Sequence, residues 1–337
     1  MTKRFWISTF LLLAFIGIIY FLKLTPNKSQ KNPEPVRKIT VESCGVPTTF
    51  TEIPKRAIPF DTNMTEIMLE LGLGNKMVGY WISGVKIADK YKDQIKNVPI
   101  ISGVTDTAPG METILKYDPD FIFGAWGYNF SEEKGVTPQK LASLGIKSYT
   151  LSESCTAGGP SGTPPDPTLE STYKDIINIG RIFNVEDRAK KAVDRMKTNI
   201  KTVQKKIGKV EKPFRGFYYG GGADTAFTSG KYGMASKMMD AVGAKNILGD
   251  VQKDWIPSQG WETIIDKDPE FIMIDDTPWE SADHRILTLE SLPQLANITA
   301  IREKHYIVFP WREILPGVDM DKGIERLAKD LYPEKFK

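Results

Sequence analysis

The chain offers little to a metal ion or a nucleophile. Its two histidines, His284 and His305, stand apart from each other and from the cysteines Cys44 and Cys155. A buried transition-metal site needs several His, Cys or carboxylate ligands at close quarters, and neither histidine lies in such a cluster. No Gly-x-Ser-x-Gly elbow marks a nucleophile. The glycine-rich stretch GGGADTAFTSG lacks the Lys-Ser/Thr ending of a phosphate loop and reads as a flexible turn. What the sequence does offer is aromatic surface. Runs that read as buried strands are followed by Asp61-Thr62, Tyr80-Trp81, Trp126 with Tyr128, Tyr218-Tyr219, Asp275-Asp276 with Trp279, and Trp311-Arg312, with Trp255 as a further ring. Rings present large apolar area at little entropic cost, so this set suits the binding of a bulky ligand.

A second pair of residues stands out by position. GMETILKYDPDFIF from Gly110 and GWETIIDKDPEFIM from Gly260 share eight of fourteen residues at an offset of 150. Both copies read as a short helix, a stop at Asp-Pro, and an apolar strand suited to burial on both faces. Glu112 and Glu262 fall in the first helical turn of each copy. A carboxylate there gains about 0.3–1 kcal/mol from the helix N-terminus. Matched carboxylates in two halves of a chain also offer two acidic contacts to basic residues of a partner.

The elements that must position these residues follow from the same rhythm. RAIPFDTNMTEIMLELGLGNKMVGY reads as strand, helix and strand, with Asn63 and Glu66 as a capping box and Gly72 as the stop. KLASLGIKSYTL repeats helix, glycine, strand. After Pro213 the pattern restarts with FRGFYY, a helix ending at Gly243, the second copy of the repeat, the strand HYIVFPW and the closing helix GIERLAKDLYPE. Between the halves, Glu186 to Ile207 places Ala189, Ala192, Val193, Met196, Ile200, Val203 and Ile207 on one face, the signature of a long amphipathic helix. The predicted fold class is therefore α/β: two similar lobes with mainly parallel sheets and flanking helices, joined by one long backbone helix, with a ligand cleft between them. The expected divisions are an N-terminal lobe over 39–167, a helical connector over 168–208 and a C-terminal lobe over 209–337.

Bulk composition agrees. A chain of 337 residues with 41% apolar and 26% charged residues is ordinary folded material, and a net charge of +3 gives no reason to expect nucleic acid as a partner. Residues 1–24 read as a membrane anchor or uncleaved signal, since Lys3 and Arg4 precede an uncharged run without a small-residue cleavage pattern; cleavage is the alternative. The positive charges before the run place the body outside the cytoplasm. Residues 25–38 read as a flexible linker. In an exported body Cys44 and Cys155 are expected to close one disulfide, the alternative being two separate thiols.

Taken in order, RAIPFDTNMTEIMLELGLGNKMVGY, METILKYDPDFIF, LASLGIKSYTL, WETIIDKDPEFIMID and AKDLYPE resemble the periplasmic binding proteins for iron–siderophores and cobalamin. The resemblance runs from about Ile39 to the C-terminus. It implies two lobes on a rigid backbone helix and delivery of a metal chelate or corrinoid to an inner-membrane permease of an ABC importer. It further implies that Glu112 and Glu262 are docking glutamates that pair with permease arginines, and that Trp126 stands where a cobalamin-binding member has a ligand-contacting tryptophan. The chain departs from many members in lacking a lipoprotein cysteine near Leu24, and from the zinc and manganese binders in its scarcity of histidine.

The expectation is thus a monomeric, non-catalytic solute-binding protein, tethered outside the cytoplasmic membrane. It needs no cofactor of its own, the ligand being the metal carrier: a ferric siderophore, a corrinoid or haem. Arg312 and the rings suit an anionic siderophore. Asp61, Asp275 and Asp276 favour a neutral or cationic corrinoid unless they are paired. An enzyme using Asp61 or Asp275-Asp276 as acid–base groups, and a tethered sensor without a transporter, are the alternatives.

Overall fold

A computed structural model describes residues 37–101, 108–127, 129–157 and 168–337. The expected anchor, most of the linker, Tyr128 and residues 158–167 lie outside the described residues. Residues 38–337 form one compact unit.

The unit opens with a hairpin, β1 (Ile39–Ser43) antiparallel to β2 (Val46–Phe50), turned at Cys44-Gly45. The first lobe follows as β3 (Ala57–Pro59), α1 (Asp61–Glu70), α2 (Met111–Leu115), β4 (Phe121–Gly124), α3 (Pro138–Ser143) and β5 (Lys147–Thr150). Its sheet is parallel in the order β3-β4-β5, and bridges from Ala57 to Met77 and from Phe60 to Trp81 extend it on the β3 side. β4 is buried at every position, which is why it reads as an unbroken apolar run.

The connector is a pair of packed helices, α4 (Leu169–Ile182) and α5 (Glu186–Ile207). The apolar face expected of α5 is buried throughout, and its 22 residues span about 33 Å. Gly180 permits the close crossing: a Cβ there would lie 2.4 Å from that of Ala189.

The second lobe comprises β6 (Arg215–Tyr219), β7 (Ala226–Ser229), α6 (Met234–Ala241), β8 (Lys245–Asn246), β9 (Trp255–Gln259), α7 (Trp261–Lys267), β10 (Phe271–Asp276), α8 (Ala282–Ser291), β11 (Tyr306–Pro310) and α9 (Met320–Leu331). Its parallel sheet runs β11-β10-β6-β8, and β7 pairs antiparallel with β9. The glycine-rich stretch read as a flexible turn thus contains a strand, Ala226–Ser229. Thr228 and Ser229 are buried, and Thr228 donates its hydroxyl to the Tyr218 carbonyl.

One apolar core runs through the first lobe, the connector and α6, β11 and α9 of the second. Polar contacts tie the same region. Arg195 of α5 reaches Glu70 of the first lobe at 3.4 Å and Asp321 and the Val318 carbonyl of the second at 3.3 and 3.2 Å. Lys90 bridges Glu70 and Asp319. Lobes joined by a shared core and a long helix without proline resist wide hinging.

One local expectation needs correction. Asn63 is not the helix cap: α1 begins two residues earlier, with Phe60 at the N-cap and no side-chain cap bond. Asn63 instead donates its amide to the Pro316 carbonyl of the other lobe at 3.0 Å, and Glu66 accepts from the Ala88 amide at 2.8 Å.

Candidate functional site

The carboxyl ends of both parallel sheets end in the residues singled out from sequence, as open α/β sheets require of a binding face. On the second lobe they assemble. Phe227 stacks on Trp255 at 5.4 Å, Trp255 on Trp311 at 6.1 Å, and Trp279 meets Trp311 edge-on at 5.9 Å. Trp279, at the open end of this ladder, is 46% exposed. Tyr218 packs against Trp255 at 5.8 Å. Phe227 was not legible as a site residue, because its strand was read as loop. Its one signal is a lone ring within an otherwise small and polar stretch.

Arg312 reaches across to the first lobe. It donates to the Lys86 carbonyl at 2.8 Å and lies 3.7 Å from Glu66, whose carboxyl is raised above its ordinary pKa by burial. Trp81, only 3% exposed, packs at 6.4 Å from Phe60. Among the described residues the indole nitrogens of Trp81 and Trp311 and the Nε of Arg312 are buried donors without a hydrogen-bond partner. Buried polar groups are normally satisfied, so these donors are exceptions in the packing around the rings.

Other residues expected in the site do structural work. Asp61 starts α1 with φ 64° and is buried. Its carboxylate accepts from the Thr62 amide at 2.7 Å and the Ser83 hydroxyl at 3.0 Å, and burial raises its pKa. Thr62 donates to the Val85 carbonyl at 2.8 Å, so the pair straps segment 81–85 onto the helix. Tyr80 is buried in the strand extension, with its amide on the Pro99 carbonyl. Asp275 is buried against Arg285 at 2.6 Å and accepts from the Tyr218 hydroxyl at 2.8 Å; burial nonetheless pushes its carboxyl up. Asp276 accepts from the Ala282 amide at 3.0 Å near the start of α8. Tyr219 is fully buried on Trp261, its hydroxyl donating to the Gly222 carbonyl. The acids that would repel an anion are therefore engaged within the protein.

Trp126 is placed apart from the ring ladder. It is 7% exposed, meets Phe130 edge-on, and lines a pocket beside the hairpin. Cys44 and Cys155 form a disulfide that closes a separation of 111 residues and fastens the hairpin turn to the segment after β5. Among the described residues no group of three His, Cys, Asp or Glu side chains is arranged to hold a metal ion.

A contact missed from sequence lies where the lobes meet. Glu153, buried, accepts from the Met234 amide at the start of α6 at 2.8 Å. Burial, with Asp254 opposing its charge, pushes its carboxyl up to about 8. Nothing in its sequence neighbourhood announces this role.

Glu112 and Glu262 are both exposed in the first turns of α2 and α7. There is one such carboxylate in each lobe.

This chain belongs to the family described as periplasmic binding protein, whose model matches residues 60–312. It is 25% identical over 292 residues to an uncharacterized ABC transporter substrate-binding lipoprotein, YvrC, of Bacillus subtilis (strain 168), covering 86% of this chain and 83% of the relative. A periplasmic binding protein from Veillonella parvula DSM 2008 superposes with a TM-score of 0.74 at 26% identity, over 88% of this chain and 98% of the other. A protein of an ABC-type Fe3+-hydroxamate transport system from Saccharomonospora viridis DSM 43017 shares the fold, with a TM-score of 0.72 at 21% identity over 87% and 98% of the two chains.

Proposed function

We propose that the chain is the solute-binding component of an ABC importer, capturing a metal chelate between its lobes and delivering it to an inner-membrane permease. The observation that carries this reading is the ladder Phe227–Trp255–Trp311–Trp279, a stacked apolar wall beside a charged side chain that crosses to the other lobe. The relatives' transport descriptions support the importer assignment. Glu112 and Glu262 are the docking carboxylates of this reading, and the body works outside the cytoplasmic membrane, held there by the N-terminal segment.

The charge balance favours one ligand chemistry. Arg312 is a partly exposed cation beside the rings, while Asp61, Asp275 and Asp276 are already engaged. A ligand rich in oxygen acceptors, such as a ferric siderophore, matches that balance better than a cationic corrinoid; haem, with two carboxylates, stands between them. A thermal-shift screen of the protein against a ferric hydroxamate, a corrinoid and haem tests the reading. A true ligand at a hundred times its Kd adds about 2.7 kcal/mol of stability. The ferric hydroxamate is expected to give the largest shift, and Trp311→Ala to abolish it. No shift with any chelate contradicts the reading.

A further inference from the structure

His305 stands at the entry to β11, where three elements meet. Its carbonyl accepts from the Ile272 amide of β10 at 3.0 Å, and its amide donates to the Ala300 carbonyl at 2.9 Å. The imidazole is held at both nitrogens. Nδ1 lies 3.0 Å from the Glu270 carbonyl, just before β10, and Nε2 lies 2.8 Å from a carboxylate oxygen of Asp330, in the last turn of α9.

Both partners are acceptors. A backbone carbonyl has no proton to give, and neither has an ionised carboxylate. A neutral imidazole carries one N–H, so it satisfies one of the two and turns a lone pair on the other. Only the imidazolium donates to both. A cation at this place also meets the negative end of α9. The hydrogen bond to Asp330 holds the imidazole above its ordinary pKa, with burial opposing and the Asp330 charge, the Glu270 carbonyl and the Glu303 charge adding to it. Neighbouring cations are engaged by other acids: Lys212 and Arg215 by the Glu270 carboxylate at 3.9 and 3.3 Å, Lys304 by Glu290 at 3.4 Å, and Lys329 by Glu325 at 2.7 Å. Phe271 of β10 packs its ring 6.0 Å from the imidazole and brings no charge.

We propose that His305 is a proton-operated strap: as the imidazolium it ties the last turn of α9 to the entry of β10 and β11, and on losing a proton it releases that turn. The strap is whole below the ordinary histidine pKa of 6.5 and fades as pH rises through the higher value of the folded chain. The release is local. Leu331 is buried and Tyr332 donates its hydroxyl to the Val242 carbonyl at 3.1 Å, so the helix end loosens while the core holds. The strap does not depend on what the inter-lobe face carries.

The test uses the full chain labelled with nitrogen-15 histidine. The chain has two histidines, and His284→Gln tells their signals apart. At pH 7, where an ordinary histidine is mostly neutral, both His305 nitrogens are expected to carry protons. Asp330→Asn keeps the shape of the contact but offers Nε2 an amide donor, which suits the neutral imidazole. Its proton affinity at His305 is expected to fall about tenfold. Amide exchange at Leu331 and Tyr332, corrected for its intrinsic pH dependence, is expected to quicken across the midpoint of the parent and to show no such step in Asp330→Asn. One bare nitrogen at pH 7, an unchanged proton affinity in Asp330→Asn, or exchange at the end of α9 that ignores the midpoint overturns the proposal. The first and last results need no change at Asp330 and stand even if that variant fails to fold.

Discussion

The two copies of the repeated segment perform the same structural tasks with nearly the same residues, and the matched glutamates stand apart as exposed residues outside the packing. Ile114 and Ile264, Phe121 and Phe271, and Ile122 and Ile272 are buried in pairs. Asp118 and Asp268 both adopt left-handed backbone at the helix end, with φ of 45° and 39°. Asp120 accepts from the Lys55 and Arg56 amides at 2.8 and 2.9 Å, and Glu270 accepts from the Arg215 amide at 2.9 Å, so each carboxylate fastens the start of the neighbouring strand. Arg56 and Arg215 return the contact by donating to carbonyls at the ends of α2 and α7. Packing and capping thus account for most of the shared residues. Glu112 and Glu262 remain, exposed and matched.

Their surroundings differ. Glu112 is 90% exposed and lies 3.1 Å from Lys116. The position corresponding to Lys116 is Asp266. The Glu262 carboxylate folds back over its own helix start, where a Cβ on Gly260 would lie 2.9 Å from it; Gly110 has nothing within 4 Å. The first lobe therefore presents a partly neutralised acid and the second a pair of acids. Trp261 also pins α7 by donating to the Ala223 carbonyl at 2.7 Å, a contact for which Met111 has no equivalent group.

The largest expected effect tests the structural half of the comparison. Phe121→Ala and Phe271→Ala should each cost about 3–5 kcal/mol in denaturant unfolding. A near-neutral result in one lobe would mean that the repeats do not share a packing role. Next is the inter-lobe carboxyl, which has no counterpart in the repeat. The folded-state pKa of Glu153 is raised to about 8 from 4.5. Its contribution to stability is therefore whole below about pH 4.5 and is lost as pH rises toward 8. Asp254 and Asp175 oppose its ionisation and Lys237 favours it. Glu153→Gln should be more stable than the parent at pH 8, by on the order of 1–3 kcal/mol, and the two should converge near pH 4. Asp120→Ala and Glu270→Ala should each cost about 1–2 kcal/mol, by leaving strand-start amides unpaired. Lys116→Asp, which makes the first copy resemble the second, should change stability by no more than about 0.5 kcal/mol.

Much of this was legible in the sequence because it depends on period and punctuation. The parallel strands, the buried stripe of α5, the glycine stops and the duplicated unit all follow from local rules. The site was legible only as a set of candidates. Trp255, Trp279, Trp311 and Arg312 do converge, but Asp61, Thr62, Asp276 and Tyr219 proved to be consumed by helix starts and turns. A carboxylate after a strand looks the same in sequence whether it awaits a ligand or caps its own backbone. Phe227 and Glu153 were missed because their roles arise from contacts with residues distant in the chain: Trp255 in one case, Met234 in the other.

In the proposed function the matched glutamates serve transfer and the ring ladder serves capture. The direct test is cellular uptake of a chelate that stabilises the protein, measured with the parent and with Glu112→Ala/Glu262→Ala. The expected result is an unchanged thermal shift on chelate binding, folding stability altered by no more than about 1 kcal/mol, and loss of uptake. Uptake at the parental rate by the double variant would contradict it.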